Sequence, residues 1–142
     1  MSGWSVRSAR ARIAELDAEI AGLEREGERL VADFRERFPD SPAYLAKYAD
    51  RTLTGWRWRR SSARRWRGDR PARVNRTFDL TGDEGRSLLR GLPAGVRASW
   101  LRFERRRADL NLAYALARYE RTRLQDWLSR RAVLTRLEEE TP

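Results

Sequence analysis

Apolar residues recur along the start of the chain in alternating steps of three and four: Val6, Ala9, Ile13, Leu16, Ile20, Leu23, Gly27, Leu30 and Phe34. That spacing holds one stripe on a helix and is the seam of a coiled coil or helical hairpin. Ser5 stands where an N-cap is needed and Pro39 where the chain must leave the helix, so the pattern predicts a helix over 5–38. At 1.5 Å per residue it would be about 50 Å long. Gly22 and Gly27 each cost such a helix about 1 kcal/mol relative to alanine, so it needs a partner to pack on. Gly27 lies on the stripe itself, where a missing side chain admits a bulky residue from across the seam.

Pro39-Asp40-Ser41-Pro42 reads as a turn, followed by a short helix over 42–49 in which Tyr44 and Tyr48 share a face. The period then changes to two. Thr52 to Arg59 alternates so that Trp56 and Trp58 fall on one side of a strand and Arg57 and Arg59 on the other. Ser61-Ser62-Ala63 is placed for a turn, with Arg64 to Arg67 returning antiparallel and bringing Trp66 near Trp58. A second turn at Gly68 to Pro71 leads to a third strand from Arg73 to Leu80, with Val74, Phe78 and Leu80 inward. A meander of this size, 52–80, cannot stand alone and must lie on the helices.

Thr81 and Glu84 have capping-box spacing, which predicts a short helix over 82–90 that stops at Gly91. Pro93 fits the first turn of a long last helix over 93–139. Its apolar positions include Val96, Trp100, Phe103, Leu110, Ala113, Leu116, Ala117, Leu124, Trp127, Leu128, Val133, Leu134 and Leu137. This helix is longer than the first, so part of it overhangs or meets a second copy of the chain, which makes a homodimer through the long helices an expectation. The whole, 1–142, reads as a single domain of mainly α (α+β) class. It is a long antiparallel helical hairpin or coiled coil, with a small Arg/Trp-rich antiparallel β-sheet inserted between the helices.

Charge changes the picture at one place. Between Arg51 and Arg76 there are ten arginines and a single acid, Asp69, in a chain whose net charge is +10. Met1 to Asp40, by contrast, holds seven arginines against nine acids. The near absence of lysine, with Lys47 alone among the basic residues, matches a compositional bias of the coding genome, but composition does not explain clustering. Guanidinium groups pair bidentately with phosphate and aromatic rings stack on bases, so the cluster predicts a polyanion-binding surface. The candidate nucleic-acid-binding residues are Arg57, Arg59, Arg60, Arg64, Arg65, Arg67, Arg70 and Arg73, with Trp56, Trp58 and Trp66. The alternation favours inward tryptophans and an outer face of arginines; rings facing outward would stack on the ligand instead.

Other chemistry finds little support. The chain has no cysteine and no histidine, which removes disulfides, thiolate or imidazole metal sites and histidine-based acid/base catalysis. It has no glycine-rich phosphate loop and no nucleophile motif. Asp79, Asp83 and Glu84 cluster near the end of the sheet, where capping is the simpler role than metal binding. No enzyme activity, cofactor or metal is expected. No apolar stretch approaches the length of a membrane span and the first residues lack a secretory pattern, so a cytoplasmic protein without membrane contact is expected.

These features predict a non-enzymatic nucleic-acid-binding protein whose Arg-rich β patch grips phosphates with little sequence specificity. With six phosphates of duplex DNA engaged, log K would fall against log salt with a slope of about −5. The order of long helix, Arg/Trp-rich strands and long helix resembles, in architecture alone, small proteins carried by bacterial mobile elements. That resemblance implies an alternative: a protein-interaction inhibitor or adaptor of a nucleic-acid machine, such as an anti-CRISPR acting on a bacterial defence complex. The partner would then be a nucleoprotein complex or an acidic protein surface.

Overall fold

The structure is a computed structural model that describes residues 3–49, 54–69 and 76–142. Its elements, in chain order, are α1 (Val6–Arg37), β1 (Ala43–Ala49), β2 (Thr54–Arg60), α2 (Arg64–Arg67), β3 (Thr77–Phe78), α3 (Asp83–Arg90) and α4 (Ala94–Glu139). The class is mainly α, with two long helices and a three-stranded antiparallel sheet in the order β1-β2-β3. Among the described residues no helix is long and apolar enough to cross a membrane.

The residues divide into two compact units, Met1–Glu24 with Ala113–Pro142, and Arg25–Leu112. In the first unit α1 begins as the sequence predicts. The Ser5 hydroxyl accepts the Ser8 backbone N–H at 3.0 Å, while the Ser8 hydroxyl accepts the Ser5 N–H at 2.9 Å, a reciprocal cap that satisfies two otherwise orphan donors. Ala9 and Leu16 of α1 are buried against Ala117 and Leu124 of α4, with Ile13, Ile20, Leu23, Trp127 and Leu128 packed around them. The two segments run antiparallel. Tyr114 donates its hydroxyl to Glu24, Arg121 reaches Asp17, and the Arg12 fork closes on Glu120 through two bonds of 2.6 and 2.9 Å. That fork holds the Glu120 carboxyl below its usual range and raises the Arg12 guanidinium further above its own. Past Leu128 every residue of α4 is exposed.

The second unit carries the sheet, α2 and α3. Its core is aromatic. Trp58 stacks on Trp100 with centroids 5.1 Å apart and planes 19° off parallel, and Phe34 presents its edge to Trp58, Trp100 and Phe103 at 5.1 to 5.6 Å. Each such pair adds about 1 kcal/mol to what its buried area contributes. Gly27 explains how Trp56 enters. A Cβ at Gly27 would stand 1.9 Å from the Trp56 ring, so the close approach predicted for that position is made by an indole of the sheet.

Four local expectations are corrected. Residues 43–49 form a strand and not a helix, because β1 finds a full-length partner in β2 with Ala43 opposite Arg60 and Ala49 opposite Thr54. Arg64 to Arg67 form one helical turn, so the antiparallel return beside β2 falls to Thr77–Phe78, opposite Arg59 and Trp58. The cap of α3 is Gly82 without a side-chain bond, since Thr81 spends its N–H and hydroxyl on the Asp79 carboxylate at 3.0 and 2.8 Å. Leu116, Val133, Leu134 and Leu137 are exposed and leave the stripe, while Tyr114 is buried and joins it. Of the predicted third strand, residues 73–75 lie outside the described residues, as does the turn at Arg70 and Pro71.

Candidate nucleic-acid interface

The arginine surface is built from the strands outward. In β2 the period-2 alternation buries Trp56 and Trp58, each 1% exposed, and turns Arg57 and Arg59 to the opposite face. In β1 the same period buries Ala43 and Leu45 and leaves Tyr44, Ala46 and Tyr48 on the other side. Register sets the neighbours: Arg59 stands between Tyr44 and Thr77, and Arg57 opposite Ala46. The Arg57 guanidinium lies 5.3 Å from the centre of the Tyr48 ring, close enough for a cation–π contact that steadies it.

A residue not singled out from the sequence, Asn111, helps to hold β2 in place. β3 is short, so the Trp56 N–H and C=O lie beyond its reach on that edge. The Asn111 side chain fills the gap, its Oδ1 accepting the Trp56 N–H at 2.9 Å and its Nδ2 donating to the Trp56 C=O at 2.8 Å. One amide side chain thus makes the two bonds that another strand would make. Arg107 adds a bond to the same carbonyl at 3.1 Å and pairs with Glu104 at 2.6 Å. Glu104 also accepts the Trp58 indole N–H at 3.1 Å. The available signal was Asn111 itself, a poor helix former set within a long helix.

The cluster divides by its ion pairs. Arg60 turns to Glu84 at 2.7 Å, Arg76 stands 3.7 Å from the same carboxylate, and Arg65 pairs with Asp40. Among the described residues no carboxylate lies within salt-bridge distance of Arg57, Arg59 or Arg64. Arg64 is exposed at the start of α2, while Arg57, Arg59 and Arg67 are half-buried. Arg70 and Arg73 lie outside the described residues. Trp66 does not join Trp58. Its indole N–H donates to Asp40 at 2.6 Å, and the Arg65 guanidinium sits 4.8 Å from its ring. Trp56 and Trp58, as core, have no ring face left for a base.

The nearby carboxylates are occupied by the protein. Thr81 holds Asp79 below its usual range through its backbone N–H first and its hydroxyl second, and Glu84 faces two arginines. Among the described residues no three metal-ligating side chains come together. What the arrangement offers is a set of fixed cations on a sheet whose other face is locked into an aromatic core. Comparison with protein-family models, curated proteins and solved structures finds no match to this chain.

Proposed function

We propose that this protein binds nucleic acid without catalysing a reaction, and that Arg57, Arg59 and Arg64 are the leading phosphate contacts. The observation that carries this reading is their lack of carboxylate partners in a region that supplies such partners to Arg60, Arg65 and Arg76. A guanidinium already paired gains less from a phosphate than one facing water, because it must give up its first partner. Arg65 and Arg67 follow Arg64 in α2, and Arg70 and Arg73 belong to the same stretch of sequence. With the Trp56 and Trp58 rings buried, phosphate contact outweighs base stacking, and little base preference is expected.

The test is binding to labelled duplex DNA, single-stranded DNA and RNA over a range of salt. For three duplex phosphates the slope of log K against log salt is about −3. The triple variant Arg57→Ala, Arg59→Ala, Arg64→Ala should lose most of the affinity and flatten the slope while staying folded by circular dichroism. Affinity independent of salt would sink the proposal. A second reading rests on Tyr48 beside Arg57 and Tyr44 opposite Arg59: tyrosine with arginine is the composition of a protein-binding hot spot. An acidic protein surface, as in an inhibitor of a nucleic-acid machine, would then be the partner. The same triple variant would lose that protein, while nucleic acid would fail to bind the wild type at all.

A further inference from the structure

On the side of α4 away from Ala117 and Leu124, six positions form a continuous row: Leu116, Tyr119, Arg123, Asp126, Arg130 and Val133. All six are exposed. Their steps of three, four, three, four and three are those of a coiled-coil seam, yet within the described residues this row packs on nothing. The row also reads the same from either end, about a midpoint between residues 124 and 125. A shallow groove runs along it, lined by Arg123, Asp126, Trp127, Ser129, Arg130 and Val133.

We propose that this face of α4 pairs with the same face of a second copy of the chain, antiparallel, about that midpoint. Leu116 then packs on Val133 of the partner subunit, Tyr119 meets Arg130 of the partner subunit, and Arg123 meets Asp126 of the partner subunit. Each layer occurs twice by symmetry, as an isologous contact requires. Charge complementarity selects this occupant and this direction. Arg123 and Asp126 already pair along the helix, and two copies bring them into a ring of four alternating charges. A parallel pair would instead set Arg123 on Arg123 and Asp126 on Asp126, where like charges repel.

A second feature points the same way. Residues 129–139 are helical but wholly exposed, and Val133, Leu134 and Leu137 among them are large apolar side chains. A helical stretch of that length is marginal by itself in water. In the antiparallel pair it lies along the partner subunit's residues 110–120, which gives the stretch a support that its own chain does not supply.

The test is the oligomeric state, by sedimentation equilibrium, of the wild type and of Arg123→Glu and Asp126→Arg separately, mixed and combined. The wild type is expected to be a dimer, and each single reversal to raise the dissociation constant about tenfold or more. An equimolar mixture of the two single variants should recover the dimer, because each supplies the charges the other lacks. The double variant should recover it alone. Helicity by circular dichroism confirms that each variant is folded. A wild type that stays monomeric over the whole concentration range overturns the proposal. So does a dimer indifferent to the reversals, or a mixture that associates no better than its components.

Discussion

Gly27 and Trp56 compete for one volume, and the glycine yields it. An alanine at 27 would gain about 1 kcal/mol of helix propensity. Its methyl group would meet the indole at 1.9 Å, however, and the indole is buried while its backbone is tied to Asn111. Overpacking of this kind costs about 1–3 kcal/mol, so Gly27→Ala is expected to lower the denaturant midpoint. Gly95, where a methyl group would meet open space in the first turn of α4, is the control: Gly95→Ala should leave the midpoint unchanged or raise it. Asn111→Ala exposes the opposite dependence. It removes one bond from the Trp56 N–H and one from the Trp56 C=O, which keeps Arg107, and should cost about 1–3 kcal/mol. Asn111→Asp keeps the acceptor and loses the donor, so chemical denaturation should place it between alanine and the wild type.

At the scale of elements, what the sequence showed depended on period. The stripe of α1 was legible to the residue: Ala9, Leu16, Gly27, Leu30 and Phe34 are buried as the spacing requires. The facing of Trp56 and Trp58 was legible for the same reason. Residues 43–49 were not, because tyrosines four apart share a face on a helix and on a strand alike, and the decision belongs to the pairing with β2. Ion pairs such as Arg60 with Glu84 or Arg65 with Asp40 join residues far apart in sequence, and no local pattern reports them. The Arg12 and Glu120 fork between α1 and α4 is another of that kind, and it carries a pH dependence. The Glu120 carboxyl is held below its ordinary pKa of about 4.3, so its contribution to stability is complete above that value. It is lost as the pH falls through the lower folded value. Melting curves of wild type and Glu120→Gln should therefore differ at neutral pH and converge in acid, with the first unit the place where the difference arises.

For the molecule as a whole, the division into two compact units sets the terms in which stability is measured. Both units are largely helical, so far-ultraviolet circular dichroism sums them and cannot tell which one melts. The tryptophans are divided unequally: Trp56, Trp58, Trp66 and Trp100 belong to the unit from Arg25 to Leu112, and Trp4 and Trp127 to the other. Two of the four, Trp58 and Trp100, stack at 5.1 Å and nearly parallel. At that separation the excited states of the two indoles couple, and the stacked pair absorbs differently from two separate rings. The fold thus carries a built-in optical reporter for the unit that bears the arginines, extinguished when the two rings part and silent about the other unit.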